Sequence, residues 1–169
     1  MNEHWETLAD TDWQLLHMGH IVRDLDKTLA YYESLGLITA KHRFPRKKHD
    51  ISFTMDEPAN VSASSTRTGR GKLAIVRLGS LPIELIQVGA DATDANAEFF
   101  DNHGEGISHL AFMVDDLAAE TARMTANGVR KLMSMTVDGQ ETMHYFDTRE
   151  EGGLMLELIQ RNDWSLYLA

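Results

Sequence analysis

Two histidines and two glutamates recur in this chain at matched places. The first histidine opens His17-Met18-Gly19-His20-Ile21-Val22-Arg23-Asp24-Leu25, and the second opens His109-Leu110-Ala111-Phe112-Met113-Val114-Asp115-Asp116-Leu117. His17 aligns with His109, Val22 with Val114, Asp24 with Asp116 and Leu25 with Leu117. The glutamates stand in Ile83-Glu84-Leu85-Ile86-Gln87 and Leu156-Glu157-Leu158-Ile159-Gln160. A lone carboxylate in an apolar strand is costly, so it demands a cation or hydrogen bonds. Finding it twice, each time in register with a repeated histidine, points to a shared divalent ion. Imidazole nitrogen and carboxylate oxygen suit Co, Ni, Zn, Mn or Fe(II), six-coordinate where waters fill the open positions. Such an ion is a Lewis acid toward a substrate oxygen and stabilises an enolate oxyanion. A carboxylate beside it can move the proton on the adjacent carbon.

The elements that must place these groups follow from the repeat, which implies two copies of one supersecondary unit. A strand is expected over residues 15–22. Alternation puts His17, Gly19 and Ile21 on one face and Met18, His20 and Val22 on the other. In the second copy His109, Ala111 and Met113 oppose Leu110, Phe112 and Val114, and the latter set should pack on a helix. Gly19 and Ala111 are small and leave room beside a ligand. Asp24 and Asp116 read as helix N-caps. Leu25, Leu29 and Tyr32 recur at helical spacing, as do Leu117, Thr121 and Met124. Gly36 and Gly128 each lie 19 positions after their histidine, where a left-handed residue ends a helix. Strands are then expected over 37–43 and 129–135, over 72–78 and 83–87, and over 142–146 and 154–160. Each module reads as βαβββ, an α+β fold of two tandem modules closing a metal-binding cavity.

Glu84 follows His17 by 67 positions and Glu157 follows His109 by 48, so the first copy is longer. The extra length falls at about 44–70 and reads as a long loop, a kind of segment usually functional or mobile. It carries Arg46-Lys47-Lys48, conspicuous in a chain of net charge -10. Residues 1–13 read as an N-terminal extension that packs on the outside or on a partner. Residues 14–90 are the first module, 91–106 a linker with a short helix near 96–100, 107–161 the second module and 162–169 a tail. His20, on the face away from His17, is expected to be packed or hydrogen-bonded. His4, His42, His49 and His103 have no partner pattern and read as surface residues.

The composition bounds the rest. The 169 residues are 43% hydrophobic and 25% charged, which fits a soluble globular chain. No apolar run approaches the ~18 residues of a membrane span. The N-terminus shows no basic-then-apolar signal pattern, so a cytoplasmic location is expected. Cysteine is absent, which excludes disulfides and thiolate ligands. The net charge argues against a general nucleic-acid binder.

These segments, with Gly104-Glu105-Gly106-Ile107-Ser108 and Gly152-Gly153-Leu154-Met155, resemble the vicinal oxygen chelate superfamily over about residues 14–161. That superfamily includes glyoxalase I, extradiol dioxygenases and bleomycin-resistance proteins. Within it the chain is most similar to methylmalonyl-CoA epimerases. It departs from them in Asp147-Thr148-Arg149, where a His-Pro-Lys-like turn is usual, and in Ser108 before His109, where a second histidine is usual. The resemblance implies that His17, Glu84, His109 and Glu157 hold one divalent ion and that Glu157 transfers the proton, with Glu84 also at the reacting centre. The expected activity is an epimerase or isomerase working α to a carbonyl or thioester. A glyoxalase-type lyase and a ring-cleaving dioxygenase are the alternatives. An acyl-CoA is the expected small-molecule partner, with Arg46, Lys47 and Lys48 meeting its phosphates, and the assembly is expected to be a homodimer.

Overall fold

We describe the chain from a computed structural model covering residues 11–41, 51–56 and 71–161. Arg46, Lys47 and Lys48, together with His4, His42, His49 and the tail, lie outside the described residues. In chain order the elements are β1 Gln14–Ile21, α1 Leu25–Ser34, β2 Ile38–Lys41, β3 Ile51–Met55, β4 Lys72–Leu78, β5 Leu81–Gln87 and α2 Ala95–His103. They continue with β6 Gly106–Val114, α3 Leu117–Ala126, β7 Arg130–Val137, β8 Gln140–Asp147, α4 Arg149–Gly152 and β9 Met155–Gln160.

All nine strands form one mixed sheet in the order β2-β4-β5-β1-β6-β9-β8-β7-β3. Each repeat runs outward from its histidine strand in the same way. β1 pairs parallel with the glutamate strand β5, and β6 pairs parallel with β9. The two histidine strands pair antiparallel at the centre.

Local chemistry explains the helices. Asp24 accepts from the Lys27 amide at 3.0 Å and Asp116 from the Ala119 amide at 2.9 Å, so both are N-caps. Gly36 and Gly128 have φ of 67° and 82°, the left-handed geometry that ends each helix. A second device recurs at the end of each glutamate strand. The Gln87 side chain accepts from the Leu25 amide at 2.9 Å, and Gln160 accepts from the Leu117 amide at 3.0 Å. Each glutamine thereby satisfies an orphan N–H of the first helical turn. The glutamate strand and the helix following the histidine strand are locked together.

Helices α1 and α3 cover one face of the sheet. Val22, Leu25, Val76, Ile83 and Leu85 form the core under α1, and Val114, Leu117, Met124, Phe146 and Leu158 the core under α3. The other face holds the largest apolar cluster, closed at one side by Ala95 and Phe99 of α2. Trp13, at the end of the expected extension, lies against Phe112 and donates to Glu120 at 2.9 Å. No helix among the described residues is long and apolar enough to cross a membrane.

The insertion at 44–70 is not all loop. Ile51–Met55 form β3, which crosses to the second half and pairs antiparallel with its edge strand β7. The run Ile51-Ser52-Phe53-Thr54-Met55 alternates apolar and polar residues as a half-buried strand does. Polar and basic neighbours on both sides mask that alternation in the sequence. β3 covers the hydrogen-bonding edge of β7, an edge that sheets need to protect.

Replacing Gln160 by Leu should leave the Leu117 amide unsatisfied. The expected cost is about 1 kcal/mol in denaturant unfolding, and Gln87→Leu should cost a similar amount at α1. Wild-type stability in both variants would show that the glutamines do not cap.

Candidate metal centre

Strand register brings the four repeated residues together. Residues in direct register on neighbouring strands share a face of the sheet. Gly19 pairs with Glu84 on one side and with His109 on the other. His17 pairs with Ala111, Ala111 with Glu157, and Glu157 with Tyr145. His17 and Gly19 are two apart on β1, so both rows lie on the face away from α1 and α3. Register shifts flank the segment, between Leu15 and His17 and between Gly19 and His20. Such irregularities re-aim side chains next to functional sites.

Gly19 has a more specific role than leaving room for a ligand. A Cβ built on it would lie 1.9 Å from Cε1 of His109. The His109 ring occupies the space above the glycine, and no larger residue fits beneath it.

The four side chains are buried, His109 completely. One ligand atom from each lies within 4.8 Å of all the others. The two Nε2 atoms are 3.3 Å apart. Glu157 Oε2 lies 3.2 Å from both of them, and Glu84 Oε2 lies 3.4 Å from His17 and 3.5 Å from His109. Bonds of ~2.1 Å to one ion would separate adjacent ligand atoms by about 3.0 Å at right angles and about 3.4 Å in a tetrahedron. The donor set therefore fits a single divalent ion. No N–H is aligned on the buried Glu157 Oε2 as a hydrogen-bond donor, although both Nε2 atoms lie 3.2 Å away, so the oxygen faces the two rings as a fellow ligand of one cation would.

Electrostatics point the same way. Burial alone would lower the His17 pKa, but Glu84 and Glu157 more than offset it and push it up to about 10. Burial likewise opposes ionisation of Glu84 and Glu157, and the two imidazoles outweigh it and hold both carboxyls below their usual range. His109 is raised in the same way by Glu157 and Glu84. Two carboxylates call for two positive charges. Supplying them as two imidazolium rings would set two N–H donors face to face across 3.3 Å. A divalent ion between neutral imidazoles supplies the same charge without that conflict.

Several neighbours were not legible as site residues in the sequence. Ser108 Oγ is 3.0 Å from His109 Nδ1, a contact that orients the ring. His17 Nδ1 has no such partner. Tyr145 Oη lies 3.3 Å from His109 Nε2. Burial, then Glu157 and Glu84, push its pKa well above the usual phenol value, so it keeps its proton. The one signal for Tyr145 is its register opposite Glu157. His144, next to it, points to the other face and its Nδ1 sits 2.7 Å from Thr121 Oγ1, a packing role. His20 is half-buried on that face and His103 is exposed, as expected.

A cavity of about 270 Å³ is lined by two of the four, Glu84 and Glu157, together with Tyr145. Leu73 and Ile86 of the first half and Met133 and Met143 of the second also line it, so the sheet wraps around this space. A cavity of that size holds the reacting part of a small molecule, at the lower end of ligand sites.

The profile of the glyoxalase/bleomycin resistance protein/dioxygenase superfamily matches residues 16–146. No curated protein matches the chain. Among solved structures, a hypothetical protein from Bacillus halodurans C-125 is 22% identical with a TM-score of 0.55, over 89% of this chain and 95% of that one. Methylmalonyl-CoA epimerase from Mycobacterium tuberculosis is 21% identical with a TM-score of 0.54, over 93% of each chain. A mutant of 4-hydroxymandelate synthase from Streptomyces coelicolor is 18% identical with a TM-score of 0.51, over 89% of this chain and 49% of that one. At these identities the likeness is one of fold.

Two outcomes are expected. Gly19→Ala should drive the His109 ring out of place and cost about 1–3 kcal/mol in thermal or denaturant unfolding, the usual scale of overpacking. A variant as stable as wild type would mean that the ring does not rest on Gly19. Second, chelator-treated protein should show a pH optimum of stability. The raised His17 pKa stabilises fully below 6.5, and that contribution is lost as pH rises toward about 10. The lowered Glu84 pKa stabilises above 4.5 and is lost as pH falls below it. Melting temperature should therefore peak between these values and fall on the alkaline side; a flat alkaline limb would contradict the assignment.

Proposed function

Given that the chain belongs to the glyoxalase/bleomycin resistance protein/dioxygenase superfamily, we propose that it is a divalent-metal-dependent isomerase or epimerase acting on a proton α to a carbonyl or thioester. The observation that carries this reading is the convergence of His17, Glu84, His109 and Glu157 within 4.8 Å on one buried face. These four would hold the ion. When bound, it supplies Lewis acidity toward a substrate oxygen.

The other tasks fall to the chain's own groups. Glu157 is the base we favour. Its Oε2 is buried 3.2 Å from both imidazole Nε2 atoms, and the side chain lines the cavity. A carboxylate so placed can take a proton from a carbon seated beside it, and inversion is completed when a proton reaches the opposite face of the planar carbon from a second donor. Glu84 remains a ligand. Tyr145 keeps its proton and can donate a hydrogen bond to a substrate oxygen in the same space.

A CoA thioester is the substrate class we favour. One similar structure is a methylmalonyl-CoA epimerase in complex with methylmalonyl-CoA and NH4+, 17% identical with a TM-score of 0.51. A cavity of about 270 Å³ takes an acyl unit, and Arg46, Lys47 and Lys48, outside the described residues, supply positive charge suited to the CoA phosphates. A ring-cleaving dioxygenase needs two histidines and one carboxylate with positions left free for oxygen and diol. The second glutamate weighs against it here.

Metal analysis and solvent-deuterium exchange test the proposal. His109→Ala should lose stoichiometric metal. Glu157→Gln should keep part of its metal, because an amide oxygen still coordinates, and slow α-proton exchange in an acyl-CoA by ~100-fold or more. Glu84→Gln should be milder. Wild-type exchange in metal-replete Glu157→Gln would remove Glu157 as the base.

A further inference from the structure

One wall of the cavity is built by β7 and β8 of the second half and is completed at its edge by Phe53 of the insertion. Phe53 of β3 is in register with Met135 of β7, and Met135 with Met143 of β8. One row nearer the ligands, Met55 pairs with Met133, Met133 with Tyr145, and Tyr145 with Glu157. Phe53, Met133, Met135 and Met143 all line the cavity that Glu84 and Glu157 line. At ~4.8 Å between strands, Met133 stands about 10 Å along the sheet from Glu157. The cavity therefore has a charged end and, within the reach of a short chain, an end of thioether and aromatic groups.

Three methionines and a phenylalanine form a soft, polarisable surface that adapts to an apolar guest. These four side chains offer few hydrogen bonds to a second carboxylate or a hydroxylated chain; the other polar lining, Lys72, Gln87, Asp94 and Asn96, comes from other segments of the chain. The space also exceeds what a methyl branch would fill, since a water takes ~30 Å³ and the cavity is about 270 Å³. We propose that the crossing strand β3 sets specificity: Phe53, with Met133, Met135 and Met143, selects substrates carrying an extended alkyl or aromatic substituent next to the oxygens that an ion held by the four ligands would meet. This deepens the proposed function and rests on its metal site, though not on the identity of the base or on a CoA handle.

The test uses Co(II)-loaded full-length protein and hydroxamic acids, which chelate through two adjacent oxygens. Acetohydroxamic and hexanohydroxamic acids differ by four methylenes, and each one fully buried is worth ~4-fold in affinity. Titration followed by the Co(II) absorbance should show hexanohydroxamic acid binding at least ~10-fold more tightly. Phe53→Ala should still load Co(II) and reduce that tail-dependent gain by ~3-fold or more, while shifting acetohydroxamic acid by less than ~2-fold. The wild-type comparison stands by itself should the variant fail to fold. A gain below ~10-fold with Co(II) bound overturns the specificity wall and leaves the metal reading intact. Failure of the protein to take up Co(II) overturns the metal reading and this inference together.

Discussion

Two carboxylates and two imidazoles buried against one another dominate the energetics of this protein. Removing so many ionisable groups from water is among the most expensive things a fold can do. It is sustained only if charge is balanced at close range, and here Nε2 of both rings lies 3.2 Å from the same glutamate oxygen. The surrounding features serve that balance. Register shifts flank His17 and Gly19. Gly19 gives its side-chain space to the His109 ring. Ser108 orients that ring, and a protonated phenol stands beside it.

The duplication makes this concentration of charge possible. A single βαβββ unit supplies one histidine and one glutamate on one face, too few to balance each other or to hold an ion. Pairing the two histidine strands antiparallel brings each histidine over the small residue of the other copy. It also seats each glutamate in the same row as the other copy's histidine. The glutamate strands β5 and β9 also carry the glutamines that cap α1 and α3. Site geometry and helix docking are thus coupled through β5 and β9, and disturbing one disturbs the other.

The two halves are not equivalent around the cavity. The second half contributes three methionines and Tyr145, and the insertion of the first half adds Phe53 on the far edge. The ligands obey the repeat, whereas the cavity wall does not. That division is physically reasonable: an ion needs several donors converging at one bond length, which the repeat supplies twice over, but a substrate presents different groups on its different sides.

How much of this was legible in the sequence depended on the range of the physics involved. The helix caps at Asp24 and Asp116, the left-handed glycines Gly36 and Gly128 and most strands follow from local patterns, because local hydrogen bonding and side-chain alternation determine them. The candidate ligands were legible for another reason: the repeat states the same buried, costly pairing of residues twice. What the tertiary structure decided is cross-strand. Tyr145 and Ser108 join the site only through register and ring orientation, which no single strand encodes. Gly19 reads as an open space until His109 is seen to occupy it. Phe53 reads as part of a loop, since its strand finds its partner at β7, 82 positions further on at Met135, and pairings over that separation leave no local signature. Residue types and their repetition thus determined the chemistry this chain can support, while the closure of the sheet decided which side chains surround it.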